Sequence, residues 1–205
     1  MMVNKDLFAT DDMLRNENIK LICGVDEAGR GPLAGPVCVA AVIFSPDTVI
    51  EGINDSKKLT EKKRKVLYDE ITKKALAYSI CMVDEKTIDD INILNATLKG
   101  MKESVEKLSV KPDLVLIDGN KIPDNMPNAQ FVISGDAKQA CIAAASILAK
   151  VTRDRYIIEM AEKYPQYAFE KHKGYGTKLH YEMLEKYGPC EIHRRTFLKK
   201  FYEHV

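Results

Sequence analysis

Eight apolar residues run without a break from position 37 to 44 (VCVAAVIF), directly after the Gly/Pro-rich stretch GRGPLAGP. The run is β-rich, and it is far short of the roughly 20 apolar residues that span a bilayer. It reads as a strand, and residues 20–25 read as a shorter strand before the loop. Residues 59–77 carry a helical pattern and 78–83 a third strand. Between 87 and 108, Ile88, Ile91, Leu94, Leu98, Met101, Val105 and Leu108 recur every three or four residues, an amphipathic helical region with room for one break. Two compact strands, 114–117 and 130–133, each end at a polar turn pair, Asp118-Gly119 and Gly135-Asp136. An Ala-rich helix follows over 138–163, then an aromatic and basic loop after Pro165, then helices over 178–186 and 192–204. The pattern predicts an α/β fold, a five-stranded mixed sheet flanked by helices, with a small helical C-terminal extension. Residues 1–205 are expected to form one domain, with its core over about 20–163 and the extension over 164–205.

Composition narrows the function classes. With 45% hydrophobic and 30% charged residues the chain lies far from the disordered corner. The N-terminal MMVNKDLFATDD has acids where a secretory leader has basic residues, so export is not expected. Five scattered cysteines, none spaced CxxC, fit a reducing cytoplasm. No interface stripe is visible, which leaves monomer as the default. A net charge of +1 argues against a general polyanion binder, but residues 57–65 hold six basic side chains and one acid. That block either opens a solvated helix or faces phosphate.

Four acids fall at strand ends: Asp26 and Glu27 after the first strand, Asp118 after the fourth, Asp136 beyond the fifth. If those strands are parallel, the acids meet at the edge where open α/β sheets bind ligands. Carboxylates so placed repel one another unless a hard cation joins them, and Mg²⁺ or Mn²⁺ completed by substrate phosphate is the natural partner. Adjacent strand residues point to opposite faces. The strand is therefore expected to end between Asp26 and Glu27, broken by Gly29, Gly31 and Pro32. Asp136 is placed to cap the Ala-rich helix, whereas Asp154, 18 residues on, lies roughly 27 Å along it and is expected in an ion pair. Singly, Asp136 also reads as a plain N-cap and Asp118-Gly119 as a plain turn. Gly29-Arg30-Gly31 reads either as a tight turn with a surface arginine or as a backbone reader of a ribose 2′-hydroxyl.

The whole stretch VDEAGRGPLAGPV closely resembles the signature of bacterial ribonuclease HII. Further matches fall in order: INDSKKLTEKKR (53–64), VLIDGN (115–120), GDAK (135–138), IAAASILAKVTRDR (142–155), HKGYGT (172–177) and HRRTF (193–197). The resemblance covers residues 22–197 and implies a ribonuclease H-like fold. It further implies a two-metal Mn²⁺ or Mg²⁺ endonuclease that hydrolyses the RNA strand of RNA–DNA hybrids. Single ribonucleotides in duplex DNA are the second implied substrate, cut on the 5′ side to leave 3′-hydroxyl and 5′-phosphate ends. By position it implies Asp26, Glu27, Asp118 and Asp136 as catalytic metal ligands. Gly29, Arg30 and Gly31 would contact the 2′-hydroxyl, and Tyr175 would stack on the next deoxynucleotide sugar. Lys57 would contact phosphate with Asn54 nearby, and Ser146 and Lys150 are further substrate-binding candidates. Without the resemblance Tyr175 reads as a packing or surface aromatic, and His172 and His193 as structural or phosphate-facing. Ala137 and Cys141 stand where the family more often has serines, which bears on helix capping and phosphate contacts. The related ribonuclease HIII carries an extra N-terminal domain, for which the roughly 20 residues before the first strand leave no room.

Overall fold

The structure, a computed structural model, describes residues 7–202. The N-terminal expectation for residues 1–6 and the end of the helix expected over 192–204 lie outside them.

Five strands form one mixed sheet in the order β3-β2-β1-β4-β5: β1 Ile22–Ala28, β2 Val37–Ile43, β3 Ala77–Val83, β4 Leu114–Asp118 and β5 Ala129–Val132. β1 pairs antiparallel with β2, which pairs antiparallel with β3, whereas β1, β4 and β5 are parallel. The central helix α4, Ala140–Lys163, packs on one face and α3, Glu85–Glu106, on the other. β2 is apolar throughout because it is covered on both sides. Cys38, Ala40 and Val42 face α4, while Val39, Ala41 and Ile43 face α3. Each buried Val or Ile contributes about 1.5–3 kcal/mol. At Gly24 a methyl group would sit 2.1 Å from the Cys141 carbonyl carbon, so glycine is what lets α4 close onto β1.

The remaining helices are α1 (Leu7–Asp12), α2 (Glu61–Lys74), α5 (Phe169–His172), α6 (Lys178–Tyr187) and α7 (Lys199–Tyr202). The break allowed in the amphipathic region occurs at Asn92, whose φ is 65°. Its side chain restarts α3 by accepting from the Asn95 N–H. Residues 192–194 are not helical: His193 bridges to Ala34 and the Arg194 N–H donates to the Leu33 carbonyl. Helix resumes only as a 3₁₀ turn, Arg195–Leu198, and α7.

Two local expectations need correction. β1 does not end between Asp26 and Glu27 but runs through both in register with β2, Asp26 opposite Ala40 and Glu27 opposite Val39. Asp136 does not cap α4, which starts four residues later; it lies in a 3₁₀ turn, Gly135–Ala137. The helix is capped from a distance, by Asp11 of α1, whose Oδ2 accepts the Cys141 N–H at 2.9 Å.

Candidate active site

β1 pairs with β4 only as far as Val25 opposite Ile117, so Asp26, Glu27 and Asp118 sit where the two strands part. Strand alternation puts Asp26 on the α4 side with Ile22, and Asp118 there with Leu114 and Leu116. Glu27 follows Cys23 and Val25 to the α3 side and approaches the others around the sheet end. Asp136 arrives from the turn before α4, where the Gly135 N–H donates to Asp118 Oδ1 at 2.6 Å.

Electrostatics show that the four acids share one neighbourhood. Burial raises Asp26 well above the ordinary carboxylate range, and Glu27, Asp118 and Asp136 push it further. Burial also raises Glu27, with Asp118 adding to it against the pull of Arg30 and Lys57. Asp136 is raised by burial, Asp55 and Asp118, opposed by Lys57. The opposing cations are at hand: Lys57 Nζ is 3.8 Å from Asp136, and an Arg30 nitrogen is 3.3 Å from Glu27. Burial works against the charge of Lys57, yet Asp136, Asp55, Asp26 and Asp118 raise it above the usual lysine value. Among the described residues no three His, Cys, Asp or Glu side chains stand in metal-holding positions. The carboxylate oxygens are turned instead to backbone N–H groups, Lys57 and Arg30.

The loop after β1 is held from beneath by two arginines that are almost fully buried, Arg153 of α4 and Arg194. Arg153 donates to the carbonyls of Pro36, Ala34 and Lys173. Arg194 donates to those of Gly35, Arg30, Pro32 and Gly29. Burial and the nearby Arg153 lower Arg194 to about 9, which leaves it a cation at neutral pH. A trans peptide points its C=O and N–H in opposite directions, and no peptide bond among the described residues is cis. Arg194's hold on the Gly29 and Arg30 carbonyls therefore turns the Arg30 and Gly31 N–H groups outward. Gly29 has φ 94°, and a methyl there would meet Arg153 Nε at 2.0 Å.

A second loop, carrying Tyr175, is laced to the first. The Leu33 N–H donates to the Gly174 carbonyl, and the Tyr175 ring lies 3.7 Å from where a Gly31 side chain would begin. Tyr175 is half exposed. Between the loops opens a cleft of about 230 Å³. Residues 26–31 form one wall, and Ser56, Lys57, Ser146, Lys150 and Tyr175 complete the lining, which does not include Asp118 or Asp136. Asn54 is not in the lining; its Oδ1 accepts the Asp55 N–H. A larger hollow of about 820 Å³, between Val105 and Met126, lies away from the carboxylates, so chemistry and not volume marks the site.

Half of the basic block is engaged within the structure. Arg64 donates to the Ser56 and Leu59 carbonyls, Lys65 pairs with Glu61, and Lys58 lies 4.0 Å from Asp55; Lys57 alone lines the cleft. Asp154 makes the expected ion pair, with Lys150 at 2.8 Å. His172 and His193 are buried and structural. Sequence reasoning missed Ser56, whose hydroxyl meets that of Ser146 at 2.6 Å and ties residues 56–58 to α4. It also missed Asp55, which caps that turn, and the two arginines. Asp before SKK is a cap signal; an arginine destined for burial has no local signature.

The family model for ribonuclease HII matches residues 23–201. A ribonuclease HII of Caldicellulosiruptor bescii is 59% identical over 196 residues, covering 96% of this chain and 95% of the relative. Among solved structures, the ribonuclease H2 of Pyrococcus horikoshii aligns with a TM-score of 0.75 at 27% identity, covering 90% of this chain and 98% of that one. Bst-RNase HIII in complex with Mn²⁺ aligns at 0.63 over 84% of this chain and 64% of its own; at 15% identity it shows the shared fold alone. Carboxylates at the parting strands, a glycine loop held by buried arginines and this breadth of match agree. The chain belongs to the ribonuclease HII family and is a type 2 ribonuclease H, an endonuclease for RNA–DNA hybrids.

Proposed function

We propose that the chain is a divalent-metal-dependent endonuclease that also cuts on the 5′ side of single ribonucleotides in duplex DNA, leaving 3′-hydroxyl and 5′-phosphate ends. The observation that carries the metal dependence is Asp26: a buried carboxylate whose charge is opposed by three more. An all-oxygen set in mutual repulsion fits hard cations, and binding Mg²⁺ or Mn²⁺ relieves the repulsion. Asp26, Glu27, Asp118 and Asp136 would hold the ions after rotating off their present partners. Held there, such ions would supply an activated water and stabilisation of the departing 3′ oxygen.

The chain's own groups do the rest. Lys57, released from Asp136, and Lys150 and Ser146 on α4 meet backbone phosphate. The outward N–H groups of Arg30 and Gly31 meet the 2′-hydroxyl and the phosphate beside it, and Tyr175 stacks on the following deoxyribose. Arg153 of the core and Arg194 of the extension grip one loop, which supports treating 1–205 as a single domain; in this reading it acts as a monomer in the cytoplasm. No described helix is long and apolar enough to cross a membrane. Cleavage of a labelled RNA–DNA hybrid, followed by repair-enzyme tests of the product ends, checks the reading. Activity that survives exhaustive chelation, or 3′-phosphate ends, would contradict it.

A further inference from the structure

Beneath the Tyr175 loop lies a row of three buried histidines whose hydrogen bonds leave only one arrangement of protons. The Cys190 N–H points at His193 Nδ1, 2.9 Å away. A backbone N–H only donates, so Nδ1 is bare and a neutral His193 carries its proton on Nε2. That atom is 3.0 Å from His180 Nε2. Two N–H groups cannot face each other at that distance, so His180 Nε2 is the acceptor and its proton is on Nδ1. His180 Nδ1 lies 2.9 Å from the Tyr175 carbonyl, which only accepts. Tracing the row backward from that carbonyl assigns the same protons. His172 is fixed separately: its Nδ1 accepts the Gly174 N–H and its Nε2 donates to the Tyr167 carbonyl.

We infer that His180, held in its Nδ1–H tautomer by His193, is a positioning residue that aims Tyr175 at the cleft. The inference rests on Tyr175 being the residue that senses the RNA-to-DNA junction. Tyr175 is fixed on both sides, since its N–H donates to the His172 carbonyl while its carbonyl takes His180 Nδ1–H and the Thr177 N–H. His172 stacks on His180 at 4.4 Å between ring centres, and Phe169 meets both edge-on. The rings stay neutral in this setting. Burial lowers His180 to about 4 and His193 to about 3, each helped by a neighbouring histidine. An ordinary surface histidine does not favour this tautomer and titrates close to neutral pH; here a chain of obligate donors and acceptors fixes the tautomer and burial disfavours the cation.

Long-range ¹H–¹⁵N correlation spectra of the ¹⁵N-histidine-labelled full chain at neutral pH read the tautomers directly. The expected result is Nδ1–H for His180 and Nε2–H for His172 and His193. His180 found as Nε2–H, or any of the three found cationic, overturns the inference. Kinetics supply the functional arm, with melting curves to verify folding. His180→Leu is expected to lower kcat/KM on a single-ribonucleotide duplex about tenfold relative to a long hybrid, the equivalent of one hydrogen bond. His180→Asn keeps a donor near the Nδ1 position and is expected to restore most of the loss. Loss on both substrates alike for His180→Leu, while Tyr175→Ala discriminates between them, removes the positioning role. If Tyr175→Ala itself fails to discriminate, the junction reading fails, and the tautomer spectrum still reports on the histidine row.

Discussion

Arg194 and Gly29 lie 165 residues apart in the chain, yet an Arg194 guanidinium nitrogen is 2.6 Å from the Gly29 carbonyl. The same guanidinium takes the Arg30, Pro32 and Gly35 carbonyls, so one side chain from the C-terminal region sets the course of the loop. Replacing it strands four acceptors, three of them in buried bonds.

Arg194→Lys offers one ammonium where a planar fork served four carbonyls. Denaturant unfolding is expected to show a loss of about 3 kcal/mol or more, since each buried acceptor left bare costs about 1–3 kcal/mol. Hybrid cleavage is expected to fall with it. A variant within about 0.5 kcal/mol of the parent, the range of an ordinary surface change, would contradict the clamp.

The carboxylate cluster links stability to metal and to pH. Asp26, Glu27 and Asp136 all have folded-state pKa values raised above their unfolded ones. Their contribution is fully present below the unfolded values and is lost as pH rises through the folded ones. In chelator, melting temperature is therefore expected to decline across that range. Asp26→Asn is expected to gain on the order of 1 kcal/mol at neutral pH in chelator and to abolish turnover. Mn²⁺ is expected to stabilise the parent more than the variant. Asp118→Asn is expected to fold, to keep much of its hybrid binding and to lose turnover; full activity in either variant would remove that ligand from the account.

Much of this was legible from the chain because apolar runs and turn residues punctuate it sharply. The run at 37–44 announces β2, the alanines announce α4, and the acids stand at strand ends where glycines and polar pairs stop the strands. What was not legible depends on distant partners. Arg153, beside Asp154, and Arg194, between His193 and Arg195, carry no local sign of burial until folding surrounds them with carbonyls, and residues 192–194 lose their helix to the bonds of His193 and Arg194 with the first loop. α1 has six residues, too few for a local signal to carry. Glu27 shows a limit of a different kind: the strand passes through it, and it joins the cluster by lying where β1 and β4 part.

Asp11 gives a pH test remote from the carboxylate cluster. Burial raises it from 3.8 to about 6 against the hydrogen bonds of Cys141 and Ala140, and its Oδ1 has no hydrogen-bond partner among the described residues. The contribution is full below pH 3.8 and is lost as pH rises through about 6. Asp11→Asn keeps the cap on α4 and is expected to match or exceed parental stability at pH 7. Asp11→Ala removes the cap and is expected to cost about 1 kcal/mol. Equal losses in both variants, measured by urea titration at pH 4.5 and 7 (about 1 kcal/mol resolves them), would show that the cap is not what Asp11 supplies.

The most direct measurement is cleavage of an end-labelled DNA duplex containing one ribonucleotide, in Mn²⁺, Mg²⁺ or chelator, beside an all-DNA duplex. The account predicts one cut, on the 5′ side of the ribonucleotide, with either ion, none in chelator and none in the control. Equal cutting of the all-DNA duplex, or cutting in chelator, would contradict it. Cleavage of a long hybrid with none at the single ribonucleotide would keep the carboxylate chemistry and remove the junction reading given to Gly29, Arg30, Gly31 and Tyr175.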